Sequence, residues 1–283
     1  MAQQPRRAAF ANQKGGVGKT QTVLGITSAV MWYLMQLEAA GQRDEDNGGS
    51  LLVVDCDPSA DATMGLGVDP RSGIPTVTDL LHPTKPMKLV DVIQPTKWDF
   101  VDVIAGHPSL ANAPKLGSEV IYNLDIAFES VDLSMYRGVL FDTPPTLGDP
   151  LYIPLCAADE LVIVAEPAMD STRGTGELVE TMERIQKRAN QRLELGRLII
   201  NGEAVPQPTI ENRTRTAELK AEFGDLVSPH VIKRYTVRGD AHSARTPIHL
   251  YEKPRDKDKI THLREAYDNL AREQGLIPAG EAA

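Results

Sequence analysis

Residues 12–20 read Asn-Gln-Lys-Gly-Gly-Val-Gly-Lys-Thr and follow a short apolar run at residues 7–11. Gly15, Gly16 and Gly18 let successive backbone N–H groups, with that of Val17, turn inward toward an anion. A helix opening directly behind them, from Thr20 and Gln21 onward, adds the positive end of its dipole. Lys19 is suited to the terminal phosphates of a nucleotide, and the Thr20 hydroxyl to a magnesium ion. The regular form of such a loop has glycine five places before the Gly-Lys pair, where this chain has Gln13. The match is instead to the deviant Walker A form, Lys-Gly-Gly-x-Gly-Lys-Thr, which carries a second lysine, Lys14. Six fixed positions arise by chance only about 10⁻⁵ times in a chain of this length, so a bland glycine turn is a weak rival.

Phosphoryl transfer to water needs a metal, neutralising cations and an oriented water rather than covalent chemistry. Carboxylates for those tasks end two later apolar runs, Leu-Leu-Val-Val-Asp55-Cys-Asp57-Pro and Gly-Val-Leu-Phe-Asp142-Thr-Pro-Pro. Ligands of open α/β sheets lie beyond the carboxyl ends of the strands, where Asp55, Asp57 and Asp142 would meet the glycine loop. Each aspartate alone could be a strand-end cap; behind such a loop the chemical role is the stronger reading.

Those residues need a parallel sheet to bring them together. Strand-like runs at 7–11, 51–55, 100–105, 138–142, 160–165, 197–201 and 226–232 alternate with helical patterns. Several are unbroken Val/Ile/Leu stretches, as expected when helices cover both faces of a sheet. Residues 176–191 place Leu178, Met182 and Ile185 on one helical face, with Asp170 or Ser171 as the start signal. The expectation is a doubly wound, mostly parallel α/β fold spanning residues 1–283 as one domain. A polar loop is expected at 38–50 and a frayed tail at 275–283.

An apolar fraction of 41% and a charged fraction of 24% are ordinary for a soluble protein. No apolar run reaches the ~18 residues of a membrane span, and no signal-peptide core follows the first residues. The two cysteines, Cys56 and Cys156, suit a reducing cytoplasm and form no metal or redox framework. Six histidines lack ligand spacing. With a net charge of −9, any binding to nucleic acid must come from local basic clusters.

The chain resembles the ParA/Soj partition ATPases, in the larger group that includes MinD, over nearly its whole length. Besides the glycine loop, Asp55-Cys-Asp57-Pro58-Ser59-Ala-Asp-Ala-Thr63 is similar to that family's Asp-x-Asp-Pro-Gln-x-x-Ala-Thr stretch, and Phe141-Asp142-Thr143-Pro144-Pro145 to its Asp-x-Pro-Pro switch. Asp240-Ala241 and Thr246-Pro247-Ile248-His249-Leu250-Tyr251 resemble its Glu-Ala and Lys-Pro-x-x-x-Tyr segments. Departures are Ser59 for Gln, Lys233 for Pro, and the 38–50 loop. The resemblance implies ATP and Mg²⁺ as cofactors and a homodimer that sandwiches nucleotide. Lys14 would then reach the partner's phosphates, Asp57 orient the attacking water, Asp142 hold Mg²⁺ through water, and Asp55 support the metal shell. Gly15 would lie where two backbones pass closely, and Asn201 at a strand end would read adenine.

Cargo must be sought elsewhere in the chain. Arg213, Arg215 and Lys220, then Lys233, Arg234 and Arg238, form basic clusters that would contact DNA phosphates without reading sequence. The alternative is a solvated basic face; the segments around Arg215 and Arg234–Arg238 resemble those the family uses on DNA. Lys253–Lys259 is charge-mixed and reads as solvated. The leading expectation is a cytoplasmic, nucleoid-associated partition ATPase released from DNA by a ParB-type partner, without a membrane partner. Rivals are a MinD-like membrane-positioning ATPase, an iron–sulfur carrier, an organelle-positioning ATPase and a nucleotide-gated scaffold. The carrier would need paired cysteines, and the membrane form a basic-apolar last helix in place of the helix at Ile260, Leu263, Tyr267 and Leu270. Plasmid, chromosome and organelle cargo are not separated by sequence.

Overall fold

In β1 (Arg6–Ala11), Ala8 and Phe10 point into one apolar layer and Ala9 and Ala11 into another, and all four are buried. The same alternation splits Leu51 and Val53 from Leu52 and Val54, which explains the unbroken apolar runs: each strand feeds two cores. The computed structural model describes residues 4–42, 49–146, 148–169 and 171–279.

After β1 come α1 (Lys19–Ala39), β2 (Ser50–Asp55), α2 (Asp61–Gly65), α3 (Val77–Leu80), α4 (Leu89–Val92), β3 (Ile93–Pro95) and β4 (Val101–Ile104). The chain continues through α5 (Asn123–Glu129), β5 (Tyr136–Asp142), α6 (Asp149–Ala157), β6 (Glu160–Ala165), α7 (Ser171–Arg188) and β7 (Glu194–Glu203). It closes with α8 (Ile210–Phe223), β8 (Ile232–Lys233), α9 (Val237–Ser243) and α10 (Lys257–Glu273). The sheet order is β3-β4-β2-β5-β1-β6-β7-β8, parallel except for β3 against β4. This is the doubly wound, mostly parallel sheet that the alternating pattern predicts. Phe10 pairs with Asp142, and Asp142 with Asp55, so the glycine loop and two carboxylates leave the sheet on one rung.

Four expectations need correction. The run at 226–232 is not a continuous strand: it touches β7 through Val227 and again at Ile232–Lys233, and lifts off between them, where Pro229 has no N–H to donate. β3 was not anticipated, because three residues ending in Pro95 carry too little pattern, and an antiparallel edge is where such a strand is tolerated. α7 opens at Ser171, one of the two start signals, so it extends ahead of the 176–191 pattern, and it ends at Arg188, short of that pattern's end. Gly174 and Gly176 weaken the helical signal in that first turn, while Asn190 ends the helix region by donating to the carbonyls of Leu155 and Ala158 at 3.0 and 2.6 Å. Leu276 and Ile277, assigned to a frayed tail, are buried, and Arg137 donates to the Leu276 carbonyl at 2.6 Å. Residues 43–48 of the polar loop, Asp170, and residues 280–283 lie outside the described residues.

α1 is buried along most of its length between the sheet and α10. Ile260, Leu263, Tyr267 and Leu270 form the apolar side of α10 and are all buried, so this side serves the core and is not offered to lipid. Among the described residues no helix is long and apolar enough to cross a membrane. The fully buried Tyr267 ring lies directly against Gly25, where any Cβ would overlap it. Its hydroxyl has no hydrogen-bond partner among the described residues. Gly25→Ala is therefore expected to cost about 1–3 kcal/mol through overpacking. Tyr267→Phe, which removes a buried unpaired hydroxyl, should leave stability unchanged or raise it by up to about 1 kcal/mol. Urea unfolding midpoints of the two variants check the contrast; equal losses would contradict this packing account.

Candidate functional site

The glycine loop is held at its base by side chains. Asn12, buried, donates to the Val164 carbonyl of β6 at 2.8 Å and accepts from the Lys14 N–H at 2.9 Å. Thr143 donates to the Phe10 carbonyl at 2.8 Å, tying the end of β5 to that of β1. Gln13, standing where the regular pattern has glycine, donates to Glu177 of α7 at 2.9 Å. Gly16 and Gly18 adopt φ of 77° and 88°, a region that side chains with a Cβ rarely enter. The Gly18 carbonyl accepts from both the N–H and the hydroxyl of Thr22, at 2.9 and 2.8 Å, which starts α1. The backbone N–H groups that follow are the unpaired donors of a helix N-terminus, an arrangement suited to phosphate.

Asn201, expected to read adenine, is almost fully buried and braces this loop: its amide donates to the Val17 carbonyl and accepts from Arg238 at 2.6 Å. A Cβ at Gly18 would run into the Asn201 amide, so glycine is required there for space as well as for φ. Gln21 lies one turn further on, partly exposed.

Behind the loop lies a buried charge cluster. Lys19 is 5% exposed; burial lowers its pKa, while Asp142 and Asp57 act to raise it. Burial drives the Asp142 carboxyl well above the usual carboxylate range, with the Asp55 charge adding to the shift and Thr20 and Lys19 opposing it. Thr20 donates to Asp142 Oδ2 at 2.7 Å, whereas the buried Oδ1 has no hydrogen-bond partner among the described residues. An orphaned carboxylate oxygen beside a hydroxyl, in a place that penalises bare negative charge, fits a divalent cation. Among the described residues no group of three or more His, Cys, Asp or Glu could hold a metal by itself. A cation here would therefore depend on phosphate oxygens for the rest of its shell, as hard Mg²⁺ commonly does.

Asp55 plays a different part. Its Oδ2 accepts the N–H and hydroxyl of Thr63 at 2.8 and 2.7 Å, and its Oδ1 accepts the Asp57 N–H at 3.1 Å. Burial pushes it up to about 6 against these hydrogen bonds. It thus anchors the segment from Asp57 to α2, and Thr63 passes the connection on by accepting the Gly106 N–H at 2.9 Å. Asp57, half-buried, keeps one carboxylate oxygen on the Ser59 N–H at 2.8 Å.

Asn12, Thr63, Thr143 and Glu166 were not singled out from sequence as site residues. Asn12, Thr143 and Glu166 each have a partner more than sixty residues away, whereas Thr63 bonds Asp55 eight residues before it. Lys14 is exposed and lies 3.6 Å from Glu166, just past β6. Among the described residues a Cβ on Gly15 would meet only Pro145, at an ordinary 3.7 Å.

The basic residues divide into two groups. Arg213 is exposed on α8, and Arg215 on the same helix contacts Glu218 at 2.8 Å. Lys233 is half-buried on β8, while Arg234 pairs with Glu166 and Arg238 with Asn201. Arg234 and Arg238 thus border the glycine-loop edge of the sheet. Lys253 and Lys259 are taken up by Asp240 and Asp256, as a charge-mixed surface implies.

Residues 6–195 match the model of the AAA domain family. The chain is 30% identical over 278 residues to the chromosome partitioning protein ParA of Caulobacter vibrioides, covering 96% of this chain and 95% of that protein. It is 31% identical over 275 residues to the sporulation initiation inhibitor protein Soj of Bacillus subtilis, covering 94% and 96%. In fold it is similar to cobyrinic acid a,c-diamide synthase of Mycobacterium smegmatis with bound ADP and magnesium, at TM-score 0.71, 24% identity and 96% coverage of both chains.

Lys19→Ala is expected to weaken nucleotide binding at least about tenfold, since a charge-assisted contact to phosphate is lost. Asp142→Asn should retain binding without metal but lose the gain that Mg²⁺ gives the wild type. Calorimetric titration of ADP with and without Mg²⁺ reads both, and an undiminished metal effect in Asp142→Asn would remove Asp142 from the cation site.

Proposed function

We propose that this chain, which belongs to the ParA/Soj family of partition ATPases, hydrolyses ATP weakly by itself and uses the nucleotide to switch a homodimer on and off DNA. The observation that carries the chemical half is the meeting of Lys19, Thr20, Asp57 and Asp142 at one edge of the sheet. Lys19 neutralises the β- and γ-phosphates, and Gly15 to Thr20 cradle them. Thr20 and Asp142 would hold Mg²⁺, with Asp55 fixing the segment behind them. The metal supplies charge neutralisation on the phosphate oxygens. Asp57 accepts a hydrogen bond from the attacking water and aims it, and Lys14 completes the charge balance from the partner protomer. Adenine lies at the ends of β7 and α9, beside Asn201.

The DNA half rests on charge. Arg213, Arg215, Lys233, Arg234 and Arg238 are too few to hold DNA from a monomer of net charge −9. Two protomers together double the phosphate contacts. A ParB-type protein that favours the hydrolytic arrangement then returns the dimer to monomers, so cargo follows a moving supply of DNA-bound dimer on the nucleoid. The membrane reading is disfavoured because the apolar side of α10 is buried.

With about 3 phosphate contacts per protomer, ATP should roughly double the log-log salt slope of binding, at ~0.9 per contact. Charge reversal at Arg213 and Arg215 together is expected to remove DNA binding while ATP-driven dimerisation persists. Arg238→Glu should injure both, because Arg238 holds the Asn201 brace. Gel-shift titration on random duplex at two salt concentrations, with ATP against ADP, reads the first effect, and light scattering the second. DNA binding that ignores nucleotide would defeat the switch, and vesicle binding in its place would favour the membrane-positioning class. Asp57→Ala is expected to bind ATP yet lose turnover; phosphate release at the wild-type rate would take the water-orienting role from Asp57.

A further inference from the structure

Lys14 and Arg234 share one carboxylate. Glu166 places Oε2 3.6 Å from Lys14 Nζ, and its Oε1 pairs with the Arg234 guanidinium. Arg234 also donates through Nε to the Gly202 carbonyl at 3.3 Å. The three residues come from three separate segments: the loop after β1, the residue after β6 and the residue after β8.

Their backbones are fixed. Asn12 ties the Lys14 N–H to β6, the Glu166 carbonyl accepts from Ala168 N–H at 2.8 Å and from the Ser171 hydroxyl, and Arg234 N–H donates to Glu203 at 2.9 Å. Only the side chains are free to exchange partners. The Lys14 side chain is 49% exposed, so its ammonium has room to leave.

We propose that Glu166 is a positioning residue for Lys14: it parks the ammonium on its own protomer, and Arg234, by competing for the same carboxylate, sets how firmly. The proposal rests on the reading that Lys14 acts on a partner's phosphates. One ammonium cannot neutralise Glu166 and a partner's nucleotide at once, so forming the sandwich breaks one such pair in each protomer. A half-exposed pair is weak, worth about threefold in an equilibrium. Two are broken per dimer, so the association constant should change by the square of that factor, about tenfold.

The test is the monomer–dimer constant, measured by sedimentation across protein concentrations with a non-hydrolysable ATP analogue, Mg²⁺ and no DNA. Glu166→Gln is expected to tighten the dimer about tenfold. Arg234→Gln, which leaves Glu166 wholly to Lys14, should weaken it severalfold; as a change at an exposed side chain, it tests the same claim if Glu166→Gln fails to fold. A negative charge near a polyanion site could act at long range, so Glu166→Gln is repeated in a Lys14→Ala background, where its effect should vanish. Persistence of the effect there overturns the proposal, as does a dimer constant unchanged by either substitution. A wild-type chain that stays monomeric under every nucleotide condition overturns the sandwich and the parking contact together. A wild type that dimerises normally beside unresponsive variants overturns the parking contact alone.

Discussion

A carboxylate buried without enough donors is unstable unless something positive comes to it, and Asp142 is held in that condition. One oxygen takes the Thr20 hydroxyl, the other has no partner among the described residues, and Lys19 stands close by. Much of the surrounding architecture can be understood as the means of keeping this group in place. The rung Phe10–Asp142–Asp55 sets its height in the sheet, the Thr143 contact to Phe10 locks β5 to β1, and Asn12 fixes the loop that carries Lys19 and Thr20. The cost of burial is borne by the fold as a whole, and the charge balance it leaves suits a cation bound together with phosphate.

The second carboxylate of the rung illustrates a division of labour. Asp55 is as buried as Asp142 but fully engaged by Thr63 and Asp57, so it has little left to offer an incoming ion. Its position makes it a hinge pin for the segment that presents Asp57. A change at Asp55 would then be felt as a misplaced Asp57 and α2, with Cys56 carried between them. Two aspartates at neighbouring strand ends, equivalent by sequence, are separated in role by hydrogen-bond partners eight residues on.

What was legible in the sequence was local. The glycine loop, the Asp-x-Asp-Pro and Asp-Thr-Pro-Pro stretches and most of the central strands carry their meaning in a few consecutive residues, because backbone conformation and two-sided burial impose residue types at short range. What was missed depends on distant partners or on weak pattern. Asn12 reaches Val164, Asn201 reaches Val17, and Glu166 gathers Lys14 and Arg234, none of which leaves a spacing to recognise. β3 is too short to show alternation, and the stretch before β8 looks apolar enough to be a strand although Pro229 prevents continuous pairing. Arg234 and Arg238 read from sequence as part of one basic cluster, whereas their contacts bind them to the glycine-loop edge.

The packing of α10 on α1 has a consequence for biosynthesis. The helix that carries Lys19 leaves the ribosome well before the helix that seals its outer side, with Tyr267 against Gly25. During translation the flank of α1 that α10 covers is made long before α10 itself. Contacts spanning so much of the chain close late and slowly. A nascent chain therefore carries the glycine loop long before the helix behind it is sealed by α10.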